Sequence, residues 1–392
     1  MEAKSPPLRV LMINYEFPPV GGGGGVAAAN LAAALVNSGH EVDYVTTLIP
    51  GLAPTETWRG VKIFREPVPW RNDKHTASII SMLAFPPVAI SRCPKLPRAR
   101  RYNIVHTHFA IPSGPAGYIV SKRLKLKHVV SIYGGDIYDP SKRYSPHKHP
   151  ILNKVVKAVL NQSDAVVGES LDICDKASQY YTPRQSVSRI PLGFCPPVFT
   201  PRSRRELEME EGAVYAIAVS RLISRKDYPT LLKAFAQSTA RNLRLLIVGD
   251  GPSLQPMQLL VSELGIDKRV LFKGAVDDAM KFALLNASDF FLLSPLHEGY
   301  GIVFQEAMYC GLPIVTTNNG GHTDFLRHEQ NALLAAPGDV STLAIHISRM
   351  ADDVDLRKTI GAKNSLDIQE QLIESVSNQY EQLYQQLINR GA

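Results

Sequence analysis

At 392 residues, 45% hydrophobic and 20% charged, the chain has the composition of a soluble globular protein and is too long for one ordinary core, so two domains are expected. Its net charge of +7 points to an anionic partner without naming one. No apolar run approaches the roughly eighteen residues of a membrane-spanning helix, and Cys93, Cys174, Cys195 and Cys310 fit no metal spacing, so reduced thiols in a cytoplasmic protein are the simplest account.

The opening "MEAKSPPLRVLMIN" has no signal-peptide pattern, and its short apolar stretch reads as a first strand. A loop follows, then five consecutive glycines, Gly21 to Gly25, then an alanine-rich helix. Gly23 and Gly24 would let a phosphate or sugar approach the backbone, and the helix N-terminus would offer free N–H donors and partial positive charge. A G-x-G-x-x-A match at Gly22, Gly24 and Ala27, with Asp43 downstream, raises a nicotinamide dehydrogenase. That motif needs its first glycine directly after the strand. Here "YEFPPV" intervenes, so the dehydrogenase is a minor rival.

"HEVDYVTT", "VKIFRE", "YNIVHTH", "KHVVSIY" and "DAVVGES" continue the strands of the first half. Two basic clusters, "PKLPRARR" (94–101) and "SKRLKLKH" (121–128), read first as solvated faces and next as a footing on an anionic membrane surface. Nucleic acid is not expected, since no binding motif or interleaved aromatics accompany them. The proline-rich "IPLGFCPPVFTPRSRR" (190–205) marks the join, and "AVYAIAVS", "LRLLIVG", "RVLFKG", "DFFLLSP" and "LPIVTT" are the strands beyond it. Continuous apolar strands alternating with helices indicate parallel sheets covered on both faces, and two sets indicate two doubly wound α/β domains. Their ligands would bind at the carboxyl ends of the strands, in a cleft between facing domains. The terminal "SLDIQEQLIESVSNQYEQLYQQLINR" reads as one long amphipathic helix.

The second half carries the denser chemistry. In "AVSRLISRKDYPTLLKAF" Arg221 and Lys226 would reach from a short loop at the sheet edge to neutralise a diphosphate, Arg as a fork and Lys as a point charge. Asp227 is placed to cap the following helix, with Pro229 in its first turn. "LLIVGDGP" supplies Gly249 and Gly251 for close approach of a nucleoside, and Gly274 closes the next strand. In "SPLHEGYGIVFQEAM" the Gly-Tyr-Gly step makes a helix through Glu298 unfavourable. Glu298 is therefore expected in a loop, with a helix starting near Ile302 and Glu306 about one turn inside it. Glu306 could accept from ribose hydroxyls and Glu298 from a sugar, while amides of Gly301, Ile302 and Val303, next to Tyr300, face phosphate. His106 and His108 in "VHTHF" are either structural or sugar and acceptor contacts.

"EGYGIVFQEAM" resembles the E-x7-E signature of retaining GT-B glycosyltransferases, glycosyltransferase family 4 in particular. "EFPPVGGGGG…LAAALVNSGHEVDYVTT" resembles the family's opening and "SRLISRKD" its R-x4-K phosphate site. "VGDGP", "GLPIVTTNNGG" and "NALLAAPGD" follow in the family's order, so the resemblance spans nearly the whole chain. It implies GT-B architecture: an acceptor-binding Rossmann-like domain (1–195), a nucleotide-sugar-binding one (196–370), and a C-terminal helix (371–392) returning to the first. It also implies transfer of a hexosyl unit with retained anomeric configuration, with no cofactor or obligatory metal. The donor would be a UDP-sugar in preference to a GDP-sugar, and the acceptor a glycan, a lipid-linked sugar or a small molecule.

Two positions depart from the family pattern. Tyr133-Gly134-Gly135-Asp136 stands where the family commonly has His-Gly-x-Asp, and tyrosine cannot carry positive charge. His322 and Asp324 follow Gly320-Gly321, Asp324 replacing a usual Glu. The resemblance nominates Glu298, Arg221, Lys226, Tyr133 and Asp136 as the catalytic set, in a cytoplasmic protein peripheral to the inner face of the membrane. A non-catalytic nucleotide-sugar-binding protein and a nucleotide-sugar epimerase on the same architecture are the alternatives. A phosphorylase would need a pyridoxal phosphate lysine region that the chain lacks.

Overall fold

The computed structural model describes residues 6–74, 77–139 and 145–390. The chain divides into two compact units: Met1–Gly193 joined by Ile373–Ala392, and Phe194–Leu372. The first break thus falls after Gly193 rather than after Cys195.

Unit 1 builds, in order, β1 (Arg9–Ile13), α1 (Gly23–Asn37), β2 (Glu41–Leu48), β3 (Thr55–Trp58), β4 (Val61–Pro67), α2 (Ile79–Arg92), β5 (Ile104–His108), α3 (Ser113–Leu124) and β6 (Lys127–Ile132). It continues with α4 (Gly134–Ile137), α5 (Pro150–Gln162), β7 (Ala165–Gly168), α6 (Leu171–Tyr181) and β8 (Val187–Arg189). The sheet order is β3-β4-β2-β1-β5-β6-β7-β8, parallel throughout except for the β3–β4 pair. Val10, Leu11, Met12 and Ile13 on successive positions of β1 are all fully buried. That double-sided burial is why the strand shows no polar alternation. The short β3, "TETW", is mostly exposed and blunts the sheet edge with a charge.

Unit 2 builds β9 (Val214–Val219), α7 (Tyr228–Gln237), β10 (Leu243–Val248), α8 (Leu254–Glu263), β11 (Val270–Gly274), α9 (Asp278–Ala287) and β12 (Phe290–Leu292). Then come α10 (Ile302–Tyr309), β13 (Ile314–Thr317), β14 (Ala332–Ala335), α11 (Val340–Asp352) and α12 (Val354–Asp367). Its all-parallel sheet has the order β11-β10-β9-β12-β13-β14. The winding direction reverses between β9 and β12, where Phe290 pairs with Ala216 and Phe291 with Ile217. In doubly wound sheets that reversal opens a crevice at the carboxyl ends of the two strands.

The single long terminal helix expected over residues 365–390 is interrupted. α12 ends at Asp367, a 3₁₀ turn covers Ile368–Gln371, and α13 begins at Ile373. The break has a local cause: Phe194 N–H donates to the Gln371 carbonyl at 2.8 Å and Phe194 bridges Leu372, which draws that residue into extended backbone. α13 then completes unit 1, burying Val376, Tyr380, Tyr384 and Leu387. Periodicity had not marked β3, β8 or β14, which are three or four residues long.

Candidate functional site

The reversal point of unit 2 collects the second-half candidates. Lys226 follows β9 and Glu298 follows β12; 72 positions apart in sequence, they form a direct ion pair. The two side chains are only 9% and 11% exposed. Burial by itself would raise the Glu298 carboxyl, but Lys226 and Arg225 outweigh it and hold the group below its ordinary value. Backbone ties fix the two loops together. Leu296 N–H donates to the Arg225 carbonyl at 2.9 Å, Ser294 Oγ to the Asp227 carbonyl at 2.8 Å, and Gly321 N–H to the Glu298 carbonyl at 2.8 Å. Arg221 is exposed, and its guanidinium has no ion pair among the described residues. Asp227 stands at the N-cap position of α7, but in the left-handed conformation and without a side-chain cap, so its expected capping role is not realised.

Glycines of this edge are explained by close backbone contacts. A Cβ on Gly249 would lie 1.9 Å from the Ser220 carbonyl oxygen, and one on Gly251 2.3 Å from that of Leu222. These two glycines press against the β9 loop, and that close backbone contact leaves no room for a side chain at either position. Gly274 has φ +69 and open surroundings, and its carbonyl accepts from Gly249 N–H at 2.8 Å.

α10 starts at Ile302, with left-handed Gly301 (φ +86) as its N-cap. No side chain caps it and no acid lies in its first turn, so the amides of Ile302 and Val303 carry the helix's uncompensated donors and partial positive charge. Glu306 lies one turn in, and its Oε1 accepts from Lys281 Nζ, on α9, at 2.6 Å. Burial lifts the Glu306 carboxyl above its ordinary value, the Lys281 ammonium offsetting only part. Tyr300 turns away from the helix mouth: it is 2% exposed and its hydroxyl donates to Gln371 Oε1 at 3.0 Å. A donor contact by that side chain is therefore corrected to a buried structural one. His322 is buried, stacks on Phe304 with centroids 4.8 Å apart, and shares a 2.7 Å hydrogen bond with the Thr317 carbonyl. Burial lowers its pKa and keeps it neutral. Asp324 closes the 3₁₀ turn Gly321–Asp324.

In unit 1, α1 begins within the glycine run, at Gly23. Beside its start, Glu16 Oε2 accepts from Gly22 N–H at 3.0 Å, and no side chain caps the helix. A Cβ on Gly24 would come within 2.7 Å of the Phe109 ring, so packing accounts for that glycine. Asp43 is buried and bonded to Tyr102 Oη at 2.5 Å and to Arg98 at 3.1 Å. It therefore faces away from any ribose, which removes the dehydrogenase reading.

The carboxyl ends of β5 and β6 hold a hydrogen-bonded set. His106 bonds Tyr384 Oη at 2.7 Å and Ser131 Oγ at 2.8 Å, and Ser131 meets Tyr380 Oη at 3.0 Å. Complete burial drives His106 well below its ordinary pKa, with His108 and His128 adding to the shift. It is a saturated core histidine, so the sugar contact is corrected. His108 Nδ1 meets Tyr133 Oη at 2.7 Å, and burial lowers its pKa to about 3. Its Nε2 has no protein partner, and the residue lines a cavity with Tyr133, Leu31 and Tyr380. Asp136 accepts from Tyr133 N–H at 2.8 Å and Ala110 N–H at 2.6 Å, so both its oxygens hold backbone in place.

Of the basic clusters, Arg98 is paired with Glu41 and Asp43, and Lys127 with Asp164. Arg100, Arg101, Lys122 and Lys125 are exposed. No helix among the described residues is long and apolar enough to cross a membrane. Sequence reasoning missed Arg225, Lys281, Gln305 and Gln371. Only Lys281 left a signal, as a cation three positions after Asp278 at a helix start.

Residues 199–366 match the family described as glycosyl transferases group 1, and residues 22–193 match the glycosyl transferase 4-like domain. The N-acetyl-alpha-D-glucosaminyl L-malate synthase of Bacillus anthracis is 28% identical over 389 residues, covering 95% of this chain and 96% of that protein. Among solved structures, a sucrose-phosphate synthase from Thermosynechococcus elongatus superposes with a TM-score of 0.81 at 23% identity, covering 98% and 100% of the two chains. An Anabaena protein crystallised in complex with UDP superposes at 0.73 and 19% identity, covering 97% and 100%. Sheet order and both family matches agree: this chain belongs to the group 1, family 4 glycosyltransferases, with the pair of Rossmann-like folds that defines GT-B architecture.

Proposed function

We propose that the protein is a retaining, metal-independent glycosyltransferase that moves a hexosyl unit from a UDP-sugar. The buried Lys226–Glu298 pair at the strand reversal, beside the uncapped start of α10, carries this reading. The diphosphate would sit on the amides of Gly301 to Val303, met by Arg221 and Lys226 in place of a metal. Glu298 would accept from hydroxyls of the transferred sugar, and Glu306 from the ribose.

Retention is supported by how the carboxylates are committed. Glu298 faces Lys226, Glu306 faces Lys281 and Asp136 holds two backbone amides, so none of the three stands ready as a general base. In the proposed step the acceptor oxygen bonds to the anomeric carbon on the face from which the diphosphate leaves. The bond to the leaving oxygen breaks, and that oxygen takes the acceptor's proton. The protein's part is positioning and charge stabilisation. Tyr133 and Asp136 would then serve by placing the β5 and β6 termini, and unit 1 would hold the acceptor.

The test is UDP release from a panel of UDP-, GDP- and ADP-sugars, with and without EDTA, followed by NMR of the product's anomeric proton. A UDP-sugar that stabilises the fold and yields an α-linked product from an α-linked donor, undiminished by EDTA, is expected. Inverted product, or chelator-sensitive turnover, overturns the assignment. Binding of nucleotide sugar without release or transfer would favour the non-catalytic alternative.

We further propose that the acceptor is reached at an anionic membrane surface. Arg100, Arg101, Lys122 and Lys125 are exposed, and on α2 Ile79, Ile80 and Leu83 are 66%, 47% and 68% exposed. Each cation near such a surface contributes about 1 kcal/mol. Replacing the four with Gln should abolish sedimentation with anionic liposomes at low salt. Equal sedimentation of parent and variant returns them to an ordinary solvated face.

A further inference from the structure

The Gly-Tyr-Gly turn contributes one side chain that does not reach the mouth of α10. Tyr300 is 2% exposed, and its hydroxyl donates to Gln371 Oε1 at 3.0 Å. The same oxygen accepts from Gln305 Nε2, in the first turn of α10, at 3.0 Å. Gln305 is fully buried and Gln371 is 7% exposed. One amide oxygen therefore holds the turn before the helix and the helix's first turn at once. A buried acceptor shared by two donors ties their positions together, and Gln305 Nε2 also reaches Tyr300 Oη at 3.4 Å, which closes the triangle.

The turn is poised to need that support. Gly301 has φ +86, and a Cβ there would come within 2.5 Å of Phe304 and 3.0 Å of Glu298 Cγ. The backbone is thus folded tightly onto the neighbours that set where Glu298 stands. Gln371 is also constrained from its other side. Its carbonyl accepts from Phe194 N–H at 2.8 Å, and Phe194 and Leu372 are the residues at which the chain enters and leaves unit 2.

We infer that Gln371 is a positioning residue for the glycosyl donor: acting through Tyr300 and Gln305, it sets the Gly301 turn and the α10 amides that would receive the diphosphate. This rests on the donor assignment above for its ligand, but the positioning itself can be read without any nucleotide.

The first measurement is amide hydrogen exchange on the full chain in the absence of ligand. Gln371→Leu should speed exchange at least tenfold at Phe304 N–H, bonded to Gly301, and Gly321 N–H, bonded to Glu298. Amides of the β10 and β11 strands should not change. The second is UDP affinity by calorimetry. Gln371→Leu and Tyr300→Phe should each weaken UDP five- to tenfold, and the double variant no more than the worse single one. Gln371→Glu, which keeps an acceptor oxygen, should recover most of the loss.

Unchanged exchange at Phe304 and Gly321, acceleration spread evenly over unit 2, or losses that multiply in the double variant overturn the inference. Faster local exchange in Gln371→Leu, together with a parent chain that binds no UDP, would sustain the positioning role and sink the donor assignment instead.

Discussion

Removing the charge at Lys226 should strand a carboxylate. In Lys226→Met the Glu298 side chain, 11% exposed, loses its ammonium partner and keeps its burial. At a separation of about 3 Å and an effective dielectric constant near 20, the direct attraction is roughly 5 kcal/mol, and breaking a buried pair from one side typically costs about 3–5 kcal/mol. Arg225 also acts on Glu298, so the lower end, about 3 kcal/mol, is the expected loss. For a unit of this size that is a fall in Tm of about 6–12 °C. The pH dependence follows from the sign of the shift. Lys226 and Arg225 hold Glu298 below its ordinary value, so its stabilisation is complete above that value and disappears as pH falls through the depressed one. Parent and variant should therefore converge at low pH, where a protonated Glu298 has no charge to strand. The Lys226→Met/Glu298→Gln double variant should recover most of the stability at pH 7. Urea unfolding of the three proteins at a series of pH values, from 7 down through the depressed Glu298 value, measures all of this. A loss below about 1 kcal/mol at pH 7, or one independent of pH, would mean the pair is solvated and the argument from burial is wrong.

The two glutamates of the motif should fail differently. Glu306→Ala should weaken UDP and UDP-sugar alike by about 1.5–3 kcal/mol, whereas Glu298→Ala should leave UDP affinity nearly intact and lower kcat; equal loss of UDP affinity in both refutes the division of roles. Tyr384→Phe removes the partner of a fully buried imidazole nitrogen and should destabilise unit 1 by about 1–3 kcal/mol without altering UDP binding, checked by denaturant titration and calorimetry. Gly24→Ala drives a methyl into the Phe109 ring and should lose about 1–3 kcal/mol, with Phe109→Leu restoring part of it; a neutral Gly24→Ala would show that the run is free of packing constraint.

Local grammar reached far into this chain. The glycine pair around Tyr300 located the start of α10 at Ile302, because a left-handed residue ends one backbone regime and opens another. The long apolar strands were legible for the same reason that they are buried on both faces. What could not be read is whatever depends on strand order. Lys226 and Glu298 meet only because β12 lies beside β9, and His106 meets Tyr384 across 278 positions. Side-chain direction was likewise silent: Tyr300 looked like a ligand contact from its neighbours, yet its ring is in the core. The glycines at 249 and 251 signal a close approach in the sequence, and the structure shows the chain's own backbone lying against both. Lys281 and Gln371 carry no motif, and their relevance comes from the partners the fold brings to them.

The discontinuity of unit 1 has a consequence for how the protein is made. Its core includes Tyr380 and Tyr384, which follow the whole of unit 2 in the chain. Everything that unit 2 needs is translated by Leu372, before α13 exists. The usual order, in which the N-terminal part of a chain matures first, is thereby inverted. Nascent chains halted at residue 372 and released should contain a protease-resistant second half attached to a first half whose His106 and Ser131 still await their tyrosines. Resistance in the first half of such chains would show that α13 is an ornament to an already finished core. For the same reason a substitution that breaks α13 would act on the core of unit 1, most of which is translated before unit 2.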